Sequence, residues 1–87
     1  MPVDDNALKA AIFTLLSKRQ PGATICPSEA ARAIVQPGED WRVLMPYVRQ
    51  VAQDLASGGQ LQVTQAGQVV DISAARGAIR LRLPPAN

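Results

Sequence analysis

A change of hydrophobic period at Gly58-Gly59 constrains this chain more than any other feature. Before it, apolar residues recur every third or fourth position, the repeat of a helix with one buried face. After it they recur every second position, the repeat of a half-buried strand. A pattern of one period does not settle into the other structure. Helices therefore come first and a small sheet follows, which predicts an α+β architecture in one domain spanning residues 1–87. Aromatic residues make up only 3% of the chain, so Leu, Ile, Val and Ala must fill the core. The hydrophobic content of 47% excludes disorder over most of the length.

Leu8, Ala11, Ile12, Leu15 and Leu16 follow the i, i+3, i+4, i+7, i+8 spacing of a first helix, with Asp5 or Asn6 as its cap. Lys18 and Arg19 suit the negative end of its dipole, and Pro21-Gly22 stops it. Residues 1–4 and 84–87 are expected to be flexible ends. Ala23-Thr24-Ile25-Cys26 is short and β-branched, and predicts a brief strand that pairs with a later hairpin. Pro27 fits the first position of a second helix, where its missing N–H costs nothing. Cys26 takes the capping place usually held by Ser or Thr, and Glu29 lies close to the unpaired N–H groups. Ala30, Ala31, Ala33, Ile34 and Val35 continue this helix, and Pro37-Gly38 ends it.

Asp40 caps the third segment. Met45 precedes Pro46, and a residue before proline resists the α region. A single helical turn over residues 41–44 is therefore expected, then a kink or a restart, with Pro46 near the start of the main helix. Leu44, Val48, Val51, Ala52 and Leu55 form its core face, and Arg42, Pro46, Arg49, Gln50 and Gln53 lie opposite. In the sheet region Leu61 and Val63 point inward from one strand, and Ile79, Leu81 and Leu83 from another, with Arg80 and Arg82 outward. The two strands are expected to pair antiparallel. Their connection, residues 65–77, is long for a hairpin, and its middle, residues 71–75, predicts a helical turn capped by Asp71. This order predicts a winged helix-turn-helix: three helices, a short first strand and a C-terminal two-stranded wing.

These residues also carry a resemblance. Ile25-Cys26-Pro27-Ser28-Glu29-Ala30-Ala31-Arg32 is followed by Asp40-Trp41-Arg42, Leu44-Met45-Pro46 and Val48-Arg49. Then come Val63-Thr64-Gln65, Gly67, Val70-Asp71, Ala75-Arg76-Gly77 and Ile79-Arg80-Leu81-Arg82-Leu83. In combination they resemble a bacterial family of small single-domain proteins catalogued as a domain of unknown function. The match spans nearly all of the chain after the first helix. The resemblance implies a winged-helix-like fold and no particular activity. Ala78 departs from it, since the family is expected to favour Pro after the Arg-Gly pair.

The third helix and the wing hold the residues best suited to a partner. Arg can grip guanine O6 and N7 with two parallel bonds, and Gln can do the same for adenine. Arg42, Arg49, Gln50 and Gln53, with Tyr47 beside them, are thus candidates for a DNA major groove, while Arg80 and Arg82 are candidates for phosphate. The rival for the helix is a solvated face whose arginines pair with Asp40 or Asp54. For the strand it is an edge guarded by charge against aggregation. Arg76 is expected to brace the wing by pairing with Asp71, and Trp41 to cover one end of the core.

Other chemistries find little support. With no His and a single Cys, Cys26, the chain offers no disulfide and no zinc or transition-metal set. Cys26 is expected to be a small buried cap. No pair of carboxylates is spaced for acid–base work and no glycine-rich phosphate loop occurs, so a binding module without cofactor or small-molecule substrate is expected, not an enzyme. No apolar run reaches the roughly 20 residues of a membrane span, and no signal-peptide core is present, which predicts a cytoplasmic protein. The net charge of +2 permits nucleic-acid contact without demanding it. Double-stranded DNA is the expected partner, with another protein as the alternative.

Overall fold

The computed structural model describes residues 4–85. Helix α1 spans Asp5–Ser17, β1 Thr24–Ile25 and α2 Pro27–Ile34. A 3-10 turn over Trp41–Leu44 runs straight into α3, Met45–Ser57. Strands β2 (Gln62–Gln65), β3 (Gln68–Val69) and β4 (Arg80–Arg82) complete an α+β fold compatible with a winged-helix-like architecture.

Local chemistry sets most boundaries. Asp4, rather than Asp5 or Asn6, caps α1, its carboxylate accepting from the Asn6 N–H at 2.9 Å. Of the ends expected to be flexible, residues 1–3 and 86–87 lie outside the described residues. Asp4 is instead the α1 cap, and Pro84 is half-buried. Pro27 opens α2 after Cys26, and Glu29 reaches back to accept the Cys26 N–H at 2.8 Å. The same carboxylate holds Arg19 at 2.5 Å, tying the exit of α1 to the start of α2. Cys26 is half-buried, and its sulfur accepts from the Ser28 hydroxyl at 3.0 Å. Met45 is helical despite the proline after it. Met45 takes αR values (φ −58°, ψ −42°) after a 3-10 turn, and Pro46 lies inside the first turn of α3, where no N–H is needed.

Helices α1 and α3 pack on one face of a four-stranded antiparallel sheet of order β1-β4-β2-β3, and α2 packs against both of them. Register aligns Ile25, Leu81 and Val63 across three strands, and all three are buried. Leu8, Ile12 and Leu16 of α1, Ala30 and Ala31 of α2, and Val48, Val51, Ala52 and Leu55 of α3 close over them. The small alanines of α2 let its backbone approach its neighbours closely. Leu44 packs at the margin of this core, as does Trp41, in keeping with its expected place.

The sheet departs from the expected two-stranded wing. Ala66 (φ 52°) and Gly67 (φ 81°) make a two-residue turn of the primed type, so β2 pairs at once with β3. The chain then leaves the sheet, turns at residues 71–75 and returns as β4. Asp71 caps that turn as expected, accepting from the Ser73 hydroxyl and N–H. Ile72 is buried beneath it. Gln65 pins the return by donating to the Arg76 and Ala78 carbonyls at 2.6 and 3.1 Å. Leu83, expected inward, is 40% exposed, because β4 ends at Arg82 and nothing pairs beyond it. β4 itself lies inside the sheet, between β1 and β2, so its arginines do not guard an edge.

Candidate nucleic-acid interface

The face of α3 that turns away from the core carries Pro46, Arg49, Gln50 and Gln53, at i, i+3, i+4 and i+7. Tyr47, 46% exposed, borders it on the side of Gln50 and Asp54. Gln50 donates to Asp54 at 3.1 Å, and Asp54 forms no ion pair with Arg49. Arg49 is half-buried and has no hydrogen-bond or ion-pair partner among the described residues. The face continues onto the wing. Gln53, Ala56 and Ser57 share a cleft of about 530 Å³ with residues 69–73, floored by Leu61 and Val63.

Arg42 stands at the start of this surface and forms a solvent-exposed ion pair with Asp40. Asp40 accepts from its N–H at 3.0 Å and from its guanidinium at 3.2 Å. The Arg42 N–H chiefly, helped by the side chain, holds the Asp40 carboxyl below its ordinary value of 3.8. The Arg42 guanidinium also lies 4.8 Å from the centre of the Trp41 ring. A second guanidinium, that of Arg32 in the last turn of α2, lies 4.4 Å from the same centre. Arg32 was not among the residues singled out from sequence. Its spacing of nine residues from Trp41 matches no periodic pattern, and only the fold of the α2–α3 corner brings the two together.

Arg80 and Arg82 occupy a different surface, the side of the sheet opposite the core row. Arg80 donates to the Thr24 hydroxyl at 2.9 Å and to the Thr24 carbonyl at 3.2 Å. Arg82 donates to the Gln62 side-chain oxygen at 2.8 Å. These partners are neutral, so they fix the arginines in direction and leave their charge uncancelled. The expected Arg76–Asp71 pair does not form. Asp71 spends its carboxylate on Ser73, which holds its carboxyl below the ordinary range through the hydroxyl first and the N–H second.

The seven sequence candidates therefore fall into two groups. Arg42, Tyr47, Arg49, Gln50 and Gln53 come together along the 3-10 turn and α3, and Arg80 and Arg82 stand apart on the outer sheet. Among the described residues no helix is long and apolar enough to cross a membrane. No curated protein matches the chain. A family model does match it, over residues 5–84, from α1 through β4 and thus including the first helix. The chain belongs to that family, the proteins of unknown function named DUF3253.

Proposed function

We propose that this chain is a cytoplasmic nucleic-acid-binding module, without enzymatic activity, that lays the outer face of α3 against a DNA major groove. The observation that carries the proposal is the composition of that face. Arg49, Gln50 and Gln53 lie on one side of a helix whose other side is wholly committed to the core, and Arg49 meets no counter-charge among the described residues. Arg and Gln are the side chains suited to guanine and adenine edges in that groove. The helix follows α2 after a short connection, the order of a helix-turn-helix, and its face adjoins the wing. A single such domain reads a short site, so useful specificity needs a second copy or a partner.

Fluorescence anisotropy of a labelled mixed-sequence duplex tests this at low and moderate salt. Wild type is expected to bind at low salt and to weaken as salt rises. Arg42→Ala/Arg49→Ala is expected to weaken binding and to flatten the salt dependence. No binding at low salt, or no effect of the double substitution, refutes the proposal.

One observation favours a protein partner instead. Val43 is 60% exposed and lies four residues before the exposed Tyr47, which gives the same corner an apolar pair suited to an adaptor. A pull-down partner retained by Arg42→Ala/Arg49→Ala and lost in Val43→Asp/Tyr47→Asp would support that function.

A further inference from the structure

The corner between α2 and the 3-10 turn holds two guanidiniums over one indole. Arg32 and Arg42 lie 4.4 and 4.8 Å from the centre of the Trp41 ring, so their Cζ atoms are no more than about 9 Å apart. Two like charges at that range repel, and the electron-rich ring face offsets the repulsion. Both side chains are exposed, and each guanidinium rests against the indole ring. The nearby carboxylates are engaged locally. Glu39 accepts the Gln36 N–H at 3.2 Å, and Asp40 is shared between the N–H and guanidinium of Arg42. Arg32 forms no ion pair among the described residues, so its charge has no direct partner at this corner.

We infer that Arg32 and Arg42, spread on Trp41, form a clamp for adjacent phosphate groups of a phosphate chain. A planar guanidinium meets phosphate oxygens with two parallel bonds, and a side chain already held in place loses less freedom on doing so. The chain's source is either a nucleic-acid backbone or a free polyphosphate. The first deepens the function proposed above and rests on it, because the clamp would hold the strand beside the groove that α3 enters. The second does not depend on it. Trp41 is the only Trp, so its emission reports on this site alone.

The test follows Trp41 emission during titration with inorganic tripolyphosphate and, separately, with an unlabelled duplex whose binding is also read by competition anisotropy. The variants are Arg32→Ala and Arg32→Lys, with urea midpoints to verify folding. A saturable, salt-sensitive change in emission is expected in wild type with at least one probe. Arg32→Ala is expected to lower affinity for that probe about three- to tenfold and, with the duplex, to reduce the salt slope by about 1. Arg32→Lys keeps the charge without the planar fork and is expected to recover part of the loss. A response to tripolyphosphate alone keeps the clamp and refutes DNA binding. Duplex binding whose affinity and salt slope are unchanged in Arg32→Ala, with no Arg32-dependent tripolyphosphate signal, overturns the clamp and keeps DNA binding. Silence with both probes overturns both.

Discussion

Two valines five residues apart provide a controlled test of how α3 is seated. Val48 is 0% exposed, at the centre of the face that meets α1, α2 and the sheet, and Val43 is 60% exposed on the preceding 3-10 turn. The same substitution, Val→Ala, removes the same two methyl groups at each. At Val48 the lost transfer free energy is about 1.6 kcal/mol, at ~0.8 kcal/mol per buried carbon. A cavity of roughly 50 Å³ that fails to collapse adds up to about 1.2 kcal/mol. Val48→Ala is thus expected to cost about 1.5–3 kcal/mol, a large part of the ~4–13 kcal/mol available to a chain of this length. At Val43 little apolar area re-enters water, and Ala is the better helix former, so the change is expected within about 0.5 kcal/mol. Urea unfolding followed by Trp41 emission measures both. With an m-value of about 1–1.5 kcal/mol/M, Val48→Ala should lower the midpoint by about 1–3 M, and Val43→Ala should barely move it. Equal midpoints for the two variants, or a larger loss at Val43, would refute the placement of the core face.

Three further outcomes follow from local geometry. Glu29→Ala removes the acceptor of the Cys26 N–H and the partner of Arg19, and is expected to cost about 0.5–2 kcal/mol in urea unfolding, mostly through the cap because the ion pair is solvent-screened. Ala66 holds a left-handed φ that an L side chain with Cβ resists, so Ala66→Asn, which creates the favoured Asn-Gly turn, is expected to raise stability by about 0.5–1 kcal/mol, and a loss would show that the turn is drawn wrongly. The carboxyls of Asp40 and Asp71 are both held below 3.8 in the folded chain. Their contribution to stability is therefore complete above that value and is lost as pH falls through the lower folded values. Acid unfolding curves of Asp40→Asn and Asp71→Asn should be flatter than wild type below about pH 4, and superimposable slopes would contradict the bonds assigned to Arg42 and Ser73.

Much of this structure was legible in the residues because single causes decide it. Pro27 after Cys26, Asp40 before Trp41 and Met45-Pro46 each leave the backbone few choices, and helix starts lie at or beside them. The inward pairs Leu61, Val63 and Ile79, Leu81 and the stripe Val48, Val51, Leu55 were equally plain, since burial imposes their period. What was hidden depends on more than one element. Ala66-Gly67 is a weak turn signal because Ala disfavours the first position of a primed turn, so β3 was missed and the wing read as one long connection. The interior place of β4 depends on pairing with β1, more than fifty residues away. The Arg76–Asp71 pairing failed because Ser73 is nearer in sequence and satisfies the same carboxylate at less entropic cost. At the candidate site, α3's outer face was readable from periodicity, whereas the stacking of Arg32 on Trp41 required the α2–α3 corner to be built.

The arrangement of charge also bounds how a single duplex would be engaged. Each arginine that displaces a counterion from phosphate adds about 0.9 to the log–log salt slope. The candidates are Arg32, Arg42 and Arg49 around α3, and Arg80 and Arg82 on the outer sheet. Arg42 already carries Asp40 as its counter-ion and releases little on binding. Contact through the α3 surface alone would thus displace counterions mainly at Arg32 and Arg49, for a slope of about −1.8. A duplex wrapped far enough to meet the outer sheet would add two more, because Thr24 and Gln62 leave the charges of Arg80 and Arg82 intact, for a slope near about −3.6. The two geometries separate cleanly in Arg80→Ala/Arg82→Ala. If the slope falls from the steep value to the shallow one, both surfaces grip one duplex. If it stays shallow throughout, α3 and its corner bind alone, and the outer-sheet arginines serve to tie β1 and β2 to β4.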